Sequence, residues 1–357
     1  MSQSTSSQLS RIKIEGFKSI KKCDLELRGI NVLIGSNGSG KSNFISAFTL
    51  LQNILTGNLA LYVGRSGLNS LFYNGIKTTD NILMEFYFDR NSYSFELVPT
   101  DSNGVVFKEE RFGYHGRWNY TETTAGGHQE STWRDGNHNE IDKVVVPLVG
   151  AQEIIPVLNR QWRVYHFHDT GKNSKMKAEH NLSNNQALLP DASNLAAFLR
   201  RLRENYASAY RDVLEAVRLI APYFQDFELE PNEGNGEHIV LRWRQRGCED
   251  VFNASQLSDG TLRFICLATL LLQPAKLQPA TIIVDEPELG LHPYAITIFA
   301  EMVKRASAEK QIILSTQSVE LLNEFDVEDV VVVDRGGDGS EFKRLNAEEL
   351  AVWIEND

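Results

Sequence analysis

One junction constrains this chain more than any other feature. The apolar run Ile30-Asn31-Val32-Leu33-Ile34 leads straight into Gly35-Ser36-Asn37-Gly38-Ser39-Gly40-Lys41-Ser42, after which Phe44, Ile45, Phe48, Leu51 and Leu55 recur at helical spacing. A buried strand, a glycine-rich loop and a helix in that order gather successive backbone N–H groups and a helix N-terminus around one point, which is a cradle for phosphate. The loop fits G-x-x-x-x-G-K-[ST]. Ser36, Asn37, Gly38, Ser39, Gly40 and Asn43 are expected to line a bound ATP. The Lys41 ammonium is expected to reach its β- and γ-phosphates, and the Ser42 hydroxyl to ligate Mg²⁺. A glycine turn that only caps a helix is the alternative, and the flanking strand and helix argue against it.

A phosphate cradle of this kind needs a carboxylate for the metal. The segment Thr281-Ile282-Ile283-Val284-Asp285-Glu286-Pro287-Glu288 supplies Asp285 at the end of a buried β-run, with Glu286 beside it. Asp285 is expected on or next to Mg²⁺, and Glu286 is placed to orient or deprotonate an attacking water. Acidic residues at strand ends also cap helices or face water, and the glycine loop is what favours the metal reading. A second anion site is encoded by Ser258, Asp259 and Gly260, where a hydroxyl, a glycine N–H and the start of an apolar helix coincide. Taken alone, that segment is an ordinary helix N-cap.

The remaining chain reads as α/β. Residues 11–17 and 24–27 alternate polar and apolar side chains as half-buried strands do, and residues 82–98 read as two strands around an Asp-Arg-Asn-Ser turn. Residues 104–139 are rich in glycine, aromatic and polar residues and are expected to form a β-hairpin lobe or surface insertion. From Asn194 to Ile220 apolar spacing marks a long amphipathic helix or helix pair stopped by Pro222. The last hundred residues alternate helix and fully apolar β-run, the mark of a mainly parallel sheet flanked by helices. The expected divisions are residues 1–98, 99–185, 186–250 and 251–357.

The order of these motifs resembles the ATP-binding-cassette heads of the RecF, structural-maintenance-of-chromosomes and overcoming-lysogenization-defect ATPases. GSNGSGKS, then Leu257-Ser258-Asp259-Gly260, then Ile282-Ile283-Val284-Asp285-Glu286-Pro287 and Leu314-Ser315-Thr316-Gln317-Ser318 carry the likeness. Residues 13–20, Tyr165–Thr170 and residues 193–199 extend it over nearly the whole chain, which is most similar to bacterial stand-alone heads of the AAA-family predicted ATPases. The resemblance implies a P-loop NTPase fold of cassette type, with an N-terminal antiparallel β lobe and a helical insertion. It implies a Mg²⁺-dependent ATPase whose protomers close head to tail, Ser258, Asp259 and Gly260 of one meeting the nucleotide of the other and residues 288–292 lying at the seam. Two positions depart from the pattern: Asp259 stands where many cassettes have glycine, and Gln317 where the switch histidine is expected. Glutamine can hydrogen-bond water or phosphate but carries no charge, so slow hydrolysis is expected.

Other readings are narrower. A net charge of -11 argues against a wholly basic nucleic-acid surface, while Arg200, Arg201, Arg203, Arg242, Arg244 and Arg246 could form a local one, with Trp243 available for stacking. DNA is therefore a possible ligand. Cys23, Cys248 and Cys266 are far apart and make no metal or disulfide framework. His166 and His168, read as one face of a strand, invite a metal with Asp169 but lack a third ligand nearby in sequence; His115, His128 and His138 have no ligand-like spacing. No apolar stretch is long enough for a bilayer, so a cytoplasmic protein is expected, with no membrane partner. The resemblance class is often paired with a separately encoded nuclease-like or toxin-like effector in phage defence. A nucleotide-binding scaffold that does not hydrolyse ATP and a RecF-like repair ATPase are the alternatives; a transporter subunit is disfavoured by the long stretch between Lys41 and Ser258.

Overall fold

A computed structural model describes residues 8–88, 91–115, 119–124, 126–131, 162–232, 236–346, 348, 349, 352 and 353. The backbone divides into two compact units, Met1–Trp162 with Val327–Asp357, and Arg163–Asp326. These cuts differ from the divisions drawn on the sequence, because the chain leaves the first unit and later returns to it.

The first unit begins with β1 (Leu9–Phe17) and β2 (Ile20–Glu26), paired antiparallel. In β1, Leu9, Ile12 and Ile14 are buried while Arg11, Lys13 and Glu15 are not, the alternation of a sheet with one wet face. Then come β3 (Ile30–Ile34), α1 (Lys41–Leu55), α2 (Leu59–Ser66) and α3 (Leu68–Leu71). The expected hairpin follows as β4 (Ile82–Phe88) and β5 (Asn91–Pro99), and residues 104–139 open with a second, β6 (Val105–His115) and β7 (Asn119–Thr124). Residues 132–139 of that stretch, His138 included, lie outside the described residues. What reads in sequence as a separate lobe or insertion continues the first sheet, whose six strands run β2-β1-β4-β5-β6-β7. Phe86, Phe95 and Phe107 fill its dry face, and Trp162 stacks on Phe86 and Phe88 at 6.3 and 5.6 Å between ring centres.

The second unit carries β8 (Trp162–Tyr165) into it, then β9 (His180–Asn181), α4 (Leu195–Asn205) and α5 (Ala207–Ile220). Asn194 to Ile220 is thus a helix pair, broken at Tyr206. A small antiparallel sheet follows, in which β10 (Phe224–Glu228), β12 (Arg242–Gln245) and β13 (Val251–Asn253) pair in that order, while β11 (His238–Ile239) pairs with β9. Next come α6 (Asp259–Leu272), β14 (Thr281–Asp285), α7 (Pro293–Ser307), β15 (Gln311–Thr316) and α8 (Val319–Leu322). β14 and β15 are parallel and almost wholly buried, and β8 flanks β14. Every residue of α6 from Thr261 to Leu271 is buried, Arg263 among them, and the other residues of that stretch are mostly apolar.

The chain then returns to the first unit as β16 (Val330–Gly336) and β17 (Gly339–Lys343). β16 pairs parallel to β3, with Val330 opposite Val32, Val331 opposite Leu33 and Val332 opposite Ile34. β17 completes that edge antiparallel to β16.

Candidate functional site

The glycine loop of the first unit connects β3 to α1 as the sequence predicts. Gly38 and Gly40 have φ of 81° and 120°, a region that side chains with a Cβ rarely enter. A Cβ at Gly40 would lie 2.0 Å from Ser340 Oγ, and one at Gly35 would lie 2.1 Å from the Val333 carbonyl oxygen. The loop is therefore clamped between α1 and the returning strands β16 and β17. Lys41 is buried, its Nζ donating to the carbonyls of Gly35 and, at 2.9 Å, Ser36. Ser42 is exposed at the first turn of α1. Ser39 Oγ is buried with no hydrogen-bond partner. An orphaned hydroxyl, an ammonium held by loop carbonyls and glycines that keep side chains out together fit a polyphosphate.

Asn43 turns elsewhere: its Nδ2 donates to Ser19 Oγ at 2.7 Å, and Ser19 Oγ meets Ser340 Oγ at 2.7 Å. Arg335, at the end of β16, donates to the Gly38 carbonyl at 3.3 Å. No sequence signal marked Arg335, because the strand pairing that brings residues about 300 positions apart together is not periodic. Phe17 is fully buried, a core aromatic as sequence reasoning preferred.

The second unit presents the carboxylates. Asp285 ends β14, and Ser315 Oγ of β15 donates to its Oδ1. Glu286 follows with φ of 44°, a strained value for a non-glycine residue. Its backbone N–H donates to the Ser315 carbonyl at 2.8 Å, and its Oε1 accepts from Gln317 Nε2. The residue at the switch position is thus hydrogen-bonded to the expected water-directing carboxylate. Glu288 Oε1 accepts from Thr316 Oγ1 at 2.5 Å and from the Gln317 N–H at 3.1 Å, while Oε2 has no partner. Burial raises the Glu288 pKa above its ordinary value, against the lowering effect of those hydrogen bonds.

Ser258 caps α6: its Oγ accepts from the Thr261 N–H at 3.1 Å. Asp259, the residue that departs from the usual pattern, has Lys177 Nζ 3.6 Å from its Oδ1. It also occupies the first turn of α6, where a negative charge suits the helix dipole. Gly260 has a packing reason of its own, since a Cβ there would lie 2.2 Å from the Gly290 carbonyl oxygen. The signature-like segment and residues 288–292 are therefore in direct backbone contact. Leu289, Tyr294 and Val319 are exposed, at 40%, 53% and 43%.

Three sequence expectations change. His166 and His168 do not share a strand face, because β8 ends at Tyr165 and both lie in the segment beyond it. Asp169 is not their companion: its Oδ1 accepts from the Gly171 N–H at 3.3 Å in a local turn. A third ligand does exist, and it is Asp285, distant in sequence; one ligand atom from each of His166, His168 and Asp285 lies within 4.8 Å of the others. Trp243 is not available for stacking. It is 3% exposed and stacks on Phe224 at 5.5 Å, and the nearby arginines are spent on carboxylates, Arg244 on Glu228 at 2.6 Å and Arg203 on Glu230 at 2.8 Å.

The segment carrying the histidines is held from below. Arg263, buried on α6, donates from Nε to the Phe167 carbonyl at 3.0 Å and from Nη2 to the His168 carbonyl at 3.1 Å. Desolvation lowers the His166 pKa below its ordinary 6.5, opposed by the charge of Asp285. Among the described residues no helix is long and apolar enough to cross a membrane.

Comparison with known proteins bears on this arrangement. The family profile described as "AAA domain, putative AbiEii toxin, Type IV TA system" matches residues 30–323. The DNA replication and repair protein RecF of Vibrio campbellii is 52% identical over 90 residues, 25% of this chain and 22% of that protein. RecF of Aliivibrio salmonicida is 38% identical over 78 residues, 20% of this chain and 21% of that protein. The chain thus spans about a fifth of the length of these relatives. Among solved structures, an Smc head bound to the C-terminal winged-helix domain of ScpA superposes with a TM-score of 0.57 at 16% identity, covering 96% of this chain and 99% of that one. An Smc head with an extended coiled coil, bound to the C-terminal domain of ScpA from Pyrococcus furiosus, gives 0.55 at 16% identity, covering 98% of each. These likenesses show the fold.

Proposed function

With residues 30–323 matched, this chain belongs to that AAA-domain family as an ATPase head of the RecF and Smc type, and from that premise we propose that it is a slow, Mg²⁺-dependent ATPase whose ATP-driven dimerisation switches a separate effector. The observation that carries the reading is the clamped glycine loop with its buried Lys41 and unpartnered Ser39 hydroxyl. In this reading the N–H groups of residues 36–42 and the Lys41 ammonium hold the phosphates. Lys41 exchanges the Gly35 and Ser36 carbonyls for phosphate oxygens, a trade of neutral acceptors for charged ones. Ser42 and Asp285 would hold Mg²⁺ by the pattern of the two motifs, and the ion would neutralise phosphate charge. Glu286 orients the attacking water and takes its proton, and Gln317 releases Glu286 Oε1 to permit this. A glutamine in that position positions the carboxylate without adding positive charge, which supports slow turnover.

Dimerisation draws support from the exposed apolar side chains Leu289, Tyr294 and Val319, which belong to the segments flanking Glu286 and Gln317. Ser258, Asp259 and Gly260 of one protomer would then close on the ATP of its partner. The Lys177–Asp259 pair offsets part of the charge of a carboxylate there. The effector is a nuclease-like or toxin-like protein and the setting antiviral defence, a reading in keeping with the toxin–antitoxin description of the family. DNA, named in the description of the RecF relatives, is the alternative partner, and the pairing of Arg203 and Arg244 with acidic residues speaks against those stretches as its contact.

The test is native mass by light scattering together with phosphate release, for the wild type and Glu286→Gln, with and without ATP and Mg²⁺. We expect ATP to double the mass, and the variant to hold the dimer while hydrolysis falls at least 100-fold, the scale of losing a general base. A mass and turnover that ignore ATP would refute the switch; a dimer that forms with no turnover in the wild type would make the protein a nucleotide-dependent scaffold.

A further inference from the structure

We propose that His166, His168 and Asp285 form a binding site for a divalent first-row transition ion, so that the carboxylate ending β14 serves an ion with imidazole ligands and not Mg²⁺ alone. The inference shares Asp285 with the function proposed above but does not depend on nucleotide binding. Ligand atoms of the three side chains lie within 4.8 Å of one another. An ion with bonds of about 2.1 Å sets its ligands about 3.0–4.2 Å apart, so small side-chain rotations close the site. Two neutral nitrogens and one carboxylate oxygen suit Mn²⁺, Fe²⁺, Co²⁺ or Zn²⁺, whereas Mg²⁺ prefers oxygen and retains its water.

A chance meeting of three side chains would not be supported from behind, and this one is. Arg263 Nε and Nη2 fix the carbonyls of Phe167 and His168 at 3.0 and 3.1 Å, and Phe167, between the two histidines, is buried and anchors the segment. The backbone N–H of His166 donates to the Pro190 carbonyl at 3.0 Å. Ser315 Oγ holds Asp285 Oδ1, leaving Oδ2 to the ion. The first three contacts fix the backbone that carries the two imidazoles, and the Ser315 hydroxyl orients the carboxylate, as partners of metal ligands do. His166 is exposed and His168 and Asp285 are half-buried, so an ion has a path in and open positions for water.

The experiment titrates Co²⁺ into chelator-stripped, nucleotide-free full-length protein and follows the visible absorption of the bound ion, with excess Mg²⁺ as competitor. The expected result is saturation at one ion per chain, unchanged by Mg²⁺ and by Lys41→Ala, and weakened about tenfold or more by His166→Ala or His168→Ala. Cobalt X-ray absorption of the wild type, which needs no variant to fold, is expected to show outer-shell scattering from two imidazole rings. Binding no tighter in the wild type than in the double histidine variant, or no imidazole scattering, overturns the site. Loss of Co²⁺ binding in Lys41→Ala also overturns it, because the ion would then belong to the glycine loop. Binding of a fluorescent ATP analogue to the same Lys41→Ala protein separates the two readings: if ATP binding is unaffected while Co²⁺ behaves as expected, the proposed function falls and the ion site stands.

Discussion

Replacing Arg263 by leucine removes the two hydrogen bonds that hold the Phe167 and His168 carbonyls at 3.0 and 3.1 Å. Hydrogen bonds from a charged donor contribute about 1.5–3 kcal/mol each, net of desolvating the donor, so the loss is roughly 3–6 kcal/mol. One term opposes it: at a position that is 7% exposed, leucine adds apolar burial of about 1–2 kcal/mol. The net destabilisation is about 2–4 kcal/mol. For a cooperative unit of this size each kcal/mol lowers the melting temperature by about 2–4 °C, so Arg263→Leu is expected to melt roughly 5–15 °C below the wild type. Arg263→Lys, which can reach one carbonyl but not both, is expected to lie between. Thermal and urea unfolding followed by circular dichroism measure both. An Arg263→Leu protein within 1 °C of the wild type, or a lysine variant no better than leucine, would show that the two carbonyls do not depend on the fork.

Gly260→Ala is expected to cost about 1–3 kcal/mol, since its Cβ would meet backbone at Gly290, 2.2 Å away, and backbone cannot swing aside. Gly64→Ala in α2, where nothing lies within 4 Å, is expected to gain up to about 1 kcal/mol, and urea midpoints of the two should move in opposite directions. Glu288→Gln tests the buried carboxyl. Burial raises the Glu288 pKa in the folded state above its ordinary 4.5, so as pH rises through that window the unfolded chain sheds a proton that the native state retains, and stability falls. Glutamine keeps an acceptor for Thr316 and Gln317 without that penalty. The variant should therefore melt higher than the wild type at pH 7.5 and equal to it at pH 4; an advantage independent of pH would refute the assignment.

Sequence reasoning reached furthest where chemistry is written locally. β3, the glycine loop and α1 follow from one apolar run, one motif and one helical period, and the strands β14, β15 and β16 follow from apolar runs bounded by turns. β14 ends at Asp285, where the apolar run meets its first carboxylate, and α8 stops at Leu322. What escaped is long-range. Asp285 could not be recognised as the third companion of His166 and His168, because only the pairing of β8 with β14 brings residues about 120 positions apart together. Trp243 looked free because Arg-Trp-Arg-Gln-Arg advertises its charges and hides that the indole side of β12 faces Phe224 and Phe252. Residues 104–139 read as a β-hairpin lobe or surface insertion because hairpins that extend an existing sheet carry the same local signals as hairpins that stand alone.

The clamp on the glycine loop also sets a schedule. Gly35 rests against Val333 and Gly40 against Ser340, so the loop has no floor until β16 and β17 exist. About 300 residues separate them, which at 5–20 residues per second is roughly 15–60 s of synthesis after Lys41 has left the ribosome. A nascent or prematurely terminated chain therefore carries the whole motif without its shape. A chain cut before β16 is thus expected to bind nucleotide far more weakly than one that carries β16 and β17, although both hold every residue of the motif.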